Sequence, residues 1–305
     1  MKTLAMALPL VLCIALAAWL WTPDRDRAEL EARYLAAPAD LLQVGVWRLH
    51  VRDSGPRDAP AVLLIHGFGA SLHTWDAWAA GLSRHHRVIR LDLPGSGLSA
   101  PDPAGNYTDA RSLDLLIALL DHLGLPRASV VGHSIGGRIA WSFAAQHPER
   151  MERLALVAPD GFASPGFEYG QVPQVPAALG LMRYVLPRPL LRMNLVAAYA
   201  DPTVLTEPVL DRYQDLLRAP GARQALLDRL RQTVLTDPRP RLARIRVPTL
   251  LVWGRQDAMI PFANAADYLA VLPDARLAAF DATGHLPQEE AAAASLAAVE
   301  AFLAL

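Results

Sequence analysis

Short, almost continuously apolar segments recur along the chain, and they are the feature that most restricts its fold. The segments are LLQVGVWRLHV, AVLLIHG, RVIRLDLPG, ASVVGHS, RLALVAP, PTLLVWG and ARLAAFD. Several are rich in Val, Leu and Ile, as are strands that are buried on both faces of a parallel sheet. Helical patterns lie between them, near residues 75–84, 109–123, 135–146, 262–271 and 289–303. This alternation predicts an α/β fold with a doubly wound, mostly parallel sheet that begins near Leu41.

The alternation stops between LALVAPDG and VPTLLVWG, where a proline-rich stretch shows no clear strand. A structureless loop of this length is improbable in a compact domain. We therefore predict an inserted helical cap over residues 161–243, with the sheet domain formed by residues 41–160 and 244–305. The alternative is a separate helical domain that does not contact the functional site.

The N-terminal segment is uncharged from Thr3 to Pro23. Its apolar part is close to the length of about 20 residues that spans a bilayer, and Trp19 and Trp21 suit the interfacial end of such a helix. We predict that residues 1–23 are a membrane anchor or a cleaved signal, followed by a connector over residues 24–40. The rest of the chain would then lie on the extracytoplasmic side, either anchored or exported. A buried hydrophobic helix is the remaining alternative.

Composition excludes several classes of partner. The formal net charge is −1, and the absence of a basic tract argues against nucleic acid. The single cysteine, Cys13, excludes an intrachain disulfide and a cysteine-rich metal site. His85 and His86 show no spacing that is typical of metal ligands. We expect neither a metal nor a cofactor.

The stretch VVGHSIGGRIA, residues 130–140, places Ser134 among glycines where a strand pattern gives way to a helical one. Nucleophilic serine catalysis needs an exposed hydroxyl, a base, a group that orients the base, and donors for the oxyanion. GHSIGG fits the GxSxG elbow, in which a sharp turn lifts the serine above the sheet. Gly132 and Gly136 stand where side chains would collide in this turn, and Gly137 where the following helix packs closely.

Four further motifs, in order, give the chain its resemblance to the α/β-hydrolase family, of the capped serine esterase or lipase-like type, from about Leu41 onward. LLIHGFGAS resembles the family's HG motif after the third strand, and RLDLPGSGLS resembles its turn after the fourth. VWGRQDAMIP and DATGHLPQEE resemble its acid and histidine segments. The order serine, acid, histidine is also that of the family.

The resemblance implies a role for each candidate residue. Ser134 would be the nucleophile, His285 its base, and Asp257 the acid that orients the histidine. The backbone N–H groups of Phe68 and Ile135 would form the oxyanion hole.

Neighbouring residues leave some roles open. Asp160 is a second candidate for the acid, because some relatives carry a carboxylate after the strand LALVAP. We expect His66 to brace its loop and His133 to face solvent in a turn, with the entrance of the site as the alternative position of His133.

A serine at the elbow argues against dehalogenase and epoxide hydrolase activity, since those relatives use an aspartate there. We expect hydrolysis of apolar esters, lipid-like or medium-chain, through an acyl-enzyme. The predicted cap is rich in Leu and Met, which suit an apolar pocket or, as the alternative, simply pack the cap onto the sheet. One alternative is a carbon–carbon bond hydrolase of ring-cleavage products, although Leu286 stands where that group tends to carry tryptophan. The other is a ligand-binding receptor on the same scaffold.

Overall fold

The structure is a computed structural model that describes residues 19–163 and 168–304. Its centre is one sheet of eight strands in the order β1-β2-β4-β3-β5-β6-β7-β8. Strands β3 to β8 are mutually parallel, whereas β2 pairs antiparallel with both β1 and β4. This arrangement confirms the predicted mostly parallel sheet. The strands are β1 Leu41–Val44, β2 Trp47–Ser54, β3 Ala61–Ile65, β4 Arg87–Leu91, β5 Ala128–His133, β6 Met151–Val157, β7 Thr249–Gly254 and β8 Ala275–Phe280.

The first apolar run forms two strands and not one. LLQVGVWRLHV folds back on itself, so that β1 and β2 form a hairpin in which Val44 pairs with Trp47. Gly45 in the turn has φ of 53°, a left-handed conformation that glycine adopts without steric cost. Periodicity does not reveal this reversal, because the residues on both sides of the turn are apolar.

Helices cover both faces of the sheet. Along β3, Leu63 and Ile65 face one apolar layer, whereas Val62 and Leu64 face the other. Helices α3, α4 and α9 pack in the first layer, and α2 and α11 pack in the second. The helices are α1 Arg27–Tyr34, α2 Asp76–Leu82, α3 Asp109–His122, α4 Ile135–Gln146, α5 Arg188–Val196, α6 Glu207–Leu217, α7 Ala222–Gln232, α8 Arg239–Leu242, α9 Asn264–Val271, α10 Pro287–Glu290 and α11 Ala292–Leu303.

Four of the five predicted helices, α2, α3, α4 and α9, agree with the structure to within a few residues. The fifth, predicted over 289–303, is divided at Ala291, where φ is −115° and ψ is 40°. The short helix α10 therefore follows the loop that carries His285.

The residues between β6 and β7 form helices, as the fold class predicted. In the described part of this insertion, α5 to α8 and the 3-10 segment Ala177–Arg183 follow one another. Its apolar cluster includes Leu191, Leu205 and Leu210 and also Leu286 of the sheet domain, and Tyr199 donates a hydrogen bond of 2.6 Å to Glu289. The insertion thus packs beside His285, which argues against a separate helical domain. We keep residues 161–243 as the proposed extent of this cap.

The predicted anchor or signal lies mostly in residues 1–18, and Cys13 is among them; these residues are outside the part that the structure describes. Within residues 19–163 and 168–304, no helix is both long enough and apolar enough to cross a membrane. The predicted connector contains the helix α1, whose Leu30 is buried against Leu98, Leu216 and Ala222.

Candidate active site

Ser134 stands in a strained turn between β5 and α4. Its backbone has φ of 53° and ψ of −119°. A positive φ in a residue with a Cβ costs on the order of 1–3 kcal/mol and needs support from the surrounding structure. That support is visible here: the Ser134 N–H donates to the carbonyl of Val157, and its own carbonyl accepts from the N–H of Arg138 and of Asp160.

The glycines around Ser134 allow the turn to close. A Cβ at Gly132 would lie 2.2 Å from the carbonyl oxygen of Gly136, and one at Gly136 would lie 2.4 Å from that of Ile65. A Cβ at Gly137 would lie 2.7 Å from the Cβ of Pro159. Backbone would have to move to admit any of these side chains. The glycines are therefore a geometric requirement of the elbow, as the sequence indicated.

His285 and Asp257 form a buried pair at the carboxyl end of the sheet. Asp257 follows β7 and His285 follows β8, and these strands are adjacent and parallel. Nδ1 of His285 donates to Oδ2 of Asp257 over 2.8 Å. Oδ1 of Asp257 accepts from the N–H of Met259 at 2.8 Å and of Ile260 at 2.9 Å. A proton held on Nδ1 leaves Nε2 of His285 able to accept one.

The sheet and the cap bring the candidate nucleophile and base into one cavity of about 110 Å³. Ser134 and His285 both line it. The cap closes its other side and fastens the histidine loop, because the N–H of His285 donates to the carbonyl of Ala198 over 2.7 Å. The remaining lining residues are Phe68, Ala70, His133, Asn194, Leu195, Ala198, Tyr213, Met259 and Leu286.

Asp160, the second candidate for the acid, has a different partner. Its Oδ2 accepts from Nη1 of Arg138 over 2.8 Å, and Arg138 also contacts Asp109 at 3.2 Å. Burial raises the pKa of Asp160, and the Arg138 guanidinium opposes that rise. Because this carboxylate is engaged by Arg138, the geometry favours Asp257 as the partner of His285.

The two candidate oxyanion donors lie beside the serine. Ile135 is the first residue of α4, and the first N–H groups of a helix have no partner within the helix. Phe68 follows Gly67, where a Cβ would lie 3.2 Å from the Cβ of Ser134. His66 braces this loop, since its Nε2 accepts from the N–H of Leu93 over 3.0 Å.

The expectation that His133 faces solvent is wrong. The side chain is only 3% exposed and its ring centroid lies 4.6 Å from that of His285. Its Nε2 donates to the carbonyl of His285 over 2.9 Å. Burial lowers the pKa of His133 well below its usual range, so the ring stays neutral. Its position as the last residue of the buried strand SVVGH is the signal that sequence reasoning missed.

A larger cavity of about 380 Å³ adjoins the first. Phe68, Asn194, Leu195 and Met259 line both cavities. Its walls are otherwise almost entirely apolar, and no Asp, Glu, Lys or Arg side chain from the described residues lines either cavity. Leu179, Met182, Leu190 and Leu191 line the larger cavity, which are among the cap residues that the sequence offered either for an apolar pocket or for packing onto the sheet. The other cap residues of the wall are Val185, Leu186, Leu217, Leu226, Leu227 and Leu230.

No group of three or more His, Cys, Asp or Glu side chains in the described ranges is placed to hold a metal ion. The site instead combines a hydroxyl on a strained turn, a histidine with a carboxylate partner, and a helix N-terminus. These are the components that nucleophilic serine catalysis requires.

Comparison with known proteins agrees with the fold. A sequence model of the alpha/beta hydrolase fold matches residues 60–292. The 2-hydroxy-6-oxo-6-phenylhexa-2,4-dienoate hydrolase of Comamonas testosteroni is 30% identical over 255 residues, which cover 80% of this chain and 87% of the relative. The structure of the enol-lactonase from Burkholderia xenovorans LB400 is 28% identical, with a TM-score of 0.75, and covers 87% of this chain and 100% of that one. A putative lipase from Acinetobacter baumannii AYE is 25% identical, with a TM-score of 0.75, and covers 92% and 97%.

Proposed function

The chain belongs to the α/β-hydrolase fold family, and from this premise we propose that it is a serine hydrolase that cleaves carboxylic esters of apolar, lipid-like or medium-chain, substrates. Hydrolase chemistry is supported by the family. The observation that carries the choice of substrate is the apolar cavity that adjoins Ser134 and His285.

In the proposed mechanism, Nε2 of His285 accepts the proton of Ser134 as the serine oxygen attacks the ester carbonyl. Asp257 holds the ring and stabilises the imidazolium that forms. The N–H groups of Phe68 and Ile135 would bind the oxyanion, and one such donor is typically worth about 3 kcal/mol in the transition state. His285 then protonates the leaving alcohol, which departs and leaves an acyl-serine. Water, deprotonated by the same histidine, releases the acid and restores Ser134.

The shape of the larger cavity supports an apolar acyl or alcohol group. Its volume of about 380 Å³ falls within the range of about 300–1,000 Å³ that is usual for small-molecule pockets. Transfer of a methylene group from water to such an apolar wall is worth about 0.8 kcal/mol. Each added methylene should therefore improve binding until the cavity is filled.

The alternative of carbon–carbon bond hydrolysis is favoured by one of the relatives, which is named for a dienoate. A dienoate carries a carboxylate, and a buried carboxylate needs a cationic or hydrogen-bonding partner. Among the charged residues that the structure describes, Arg212 lines a small third cavity beside Tyr213. Its Nη1 lies 3.8 Å from Oδ2 of Asp76, so this cation already has an anionic partner. The enol-lactonase and lipase neighbours are named for ester chemistry, and the apolar walls agree better with an ester.

The first test measures hydrolysis of p-nitrophenyl esters with short, medium and long acyl chains by the purified full chain. We expect kcat/KM to rise with acyl length and then to level off. Ser134→Ala should lower kcat by about 10⁴-fold or more. Ser142→Ala is a matched control, because Ser142 is a buried serine on α4, the helix that follows Ser134. Full activity in Ser134→Ala would contradict the assignment of the nucleophile.

Two additions to this assay separate the alternatives. A fluorophosphonate probe should label the parent protein and Ser142→Ala but not Ser134→Ala, whereas a receptor without an activated serine would not be labelled. A ring-cleavage dienoate belongs in the same panel. Faster turnover of the dienoate than of every ester would replace ester hydrolysis by carbon–carbon bond hydrolysis.

A further inference from the structure

Exposed apolar side chains surround the larger cavity on the cap. Leu181 is 59% exposed and Met193 is 63% exposed. Leu179 and Leu190 are also exposed, although both line the cavity. Tyr184 completes this group. We call these five residues the cap rim.

The cap rim lies on two segments that wall the same cavity, the 3-10 segment Ala177–Arg183 with the following Tyr184, and the helix α5. Leu190 and Met193 are three residues apart on α5 and therefore share a face of that helix. Leu179 and Leu190 line the same cavity, and the N–H of Tyr184 donates to the carbonyl of Leu181 over 2.8 Å. Large contiguous apolar patches are rare on soluble monomers and mark sites of interaction.

The N-terminal segment joins the cap rim directly. The ring of Trp21 stacks on that of Tyr184, with the ring centroids 5.6 Å apart and the planes 15° from parallel. The N–H of Thr22 donates to the carbonyl of Tyr184 over 2.8 Å, and the Thr22 hydroxyl accepts from the N–H of Leu186 over 3.1 Å. The uncharged stretch 3–23 thus ends on this surface.

The residues that follow are attached to the cap by ion pairs, in which the cap side chains Asp215 and Arg223 are buried. Asp215 of α6 pairs with Arg25 and with Arg33 at 2.7 Å each. Arg223 of α7 pairs with Asp24 at 2.6 Å. The end of the uncharged stretch and the residues after it are therefore fixed to the cap beside the cap rim.

We propose that the cap rim seats on a phospholipid surface and that apolar esters pass from the lipid into the cavity beneath it. The route of the substrate rests on the proposed function. An uncharged stretch of about 20 residues partitions into lipid, and Trp and Tyr rings prefer the interface, where Trp21 and Tyr184 stack. The guanidinium of Arg183, which lies over the Tyr184 ring, is placed to meet lipid phosphate.

Lipid contact is tested with one fluorophore on the full chain. Cys13→Ser removes the single natural thiol, and Met193→Cys then carries the label. Val46→Cys is the matched control, because Val46 is 58% exposed but lies in the β1–β2 turn of the sheet domain. In phosphatidylcholine–phosphatidylglycerol vesicles that contain nitroxide lipids, we expect the label at 193 to be quenched about twofold or more and the label at 46 to be unaffected.

Equal quenching at both positions, or quenching at neither, would overturn the proposal. So would a change at position 193 that depends on protein concentration without lipid, since it would show that a second copy of the chain occupies the surface. This readout needs no ester hydrolysis, so it decides lipid contact even if the proposed function fails.

The route of the substrate is tested with the double variant Leu181→Glu, Met193→Glu, which places two carboxylates on the cap rim outside the cavity wall. We expect hydrolysis of an ester held in vesicles to fall about tenfold, which corresponds to about 1.4 kcal/mol of lost surface affinity. Hydrolysis of a soluble short-chain ester should be unchanged, and Val46→Glu should change neither rate. Equal loss on both substrates would contradict the route through the cap rim.

Discussion

At the scale of single residues, the hydrogen-bond partners distinguish two similar carboxylates. Asp160 and Asp257 follow the adjacent parallel strands β6 and β7, so both reach the same edge of the sheet. Asp257 accepts from His285 and from two backbone N–H groups, whereas Asp160 accepts from Arg138. The first carboxylate is placed to orient a base, and the second to neutralise a buried cation.

Substitution of each carboxylate by its amide tests this separation. Asp257→Asn should lower kcat for a p-nitrophenyl ester by about 10⁴-fold, because the amide no longer holds His285 in the reactive tautomer. Asp160→Asn should retain most activity and lose about 1–3 kcal/mol of unfolding free energy, since it weakens a charged hydrogen bond to Arg138. Steady-state kinetics and urea denaturation measure the two effects. The reverse pattern of rates would move the acid to Asp160.

At the scale of elements, the unit β5–turn–α4 combines strain with close packing. Ser134 takes its positive φ because the carbonyl of Val157 and the N–H of Asp160 hold its backbone on either side. Gly136 lets α4 approach β3, where the carbonyl of Ile65 leaves no space for a methyl group. Strand, turn and helix therefore form a single structural unit.

Gly136→Ala tests the packing of this unit. We expect a loss of about 2–4 kcal/mol of unfolding free energy, since the added methyl meets backbone rather than a flexible side chain. Ester hydrolysis should fall as well, because the elbow has to open. Gly180→Ala is the control, as its Cβ would meet no atom closer than 4.0 Å and its stability should change by at most about 1 kcal/mol. Urea denaturation followed by circular dichroism compares the variants, and equal stabilities would contradict the argument.

At the scale of the whole molecule, folding buries several histidines in neutral form. Burial lowers the pKa of His66, His133 and His73, the last to about 4. Each of these side chains gains its ordinary pKa when the chain unfolds. The unfolded chain therefore binds more protons than the folded chain over the range from about 6.5 down to about 4.

Stability should consequently fall as the pH falls through this range. Each such histidine contributes a slope of up to about 1.4 kcal/mol per pH unit. Urea denaturation at pH 7 and pH 5 should show a lower unfolding free energy at pH 5. His73→Gln should show a smaller difference between the two pH values, because one of the titrating side chains is gone. An unfolding free energy that rises toward pH 5 would contradict this account.

Much of the fold follows from local sequence. Runs such as AVLLI and TLLVW are too apolar for an exposed strand, and their alternation with helical patterns leads to a parallel sheet. The elbow glycines are also local, because Gly132, Ser134 and Gly136 act within one turn. The β1–β2 hairpin does not follow from the local pattern, because Gly45 reverses a run that is apolar on both sides.

The sequence by itself indicated the alternation of strands and helices and the elbow at Ser134, since each depends on neighbours in the chain, and its resemblance to the α/β-hydrolase family implied the segments that carry Asp257 and His285. Only the tertiary structure decided that Arg138 engages Asp160, that His133 is buried against His285, and that cap helices wall an apolar cavity. The attachment of residues 21–34 to the cap is of the same kind. These features join residues that are far apart in the chain, and burial and pairing at such distances arise only when the whole molecule has folded.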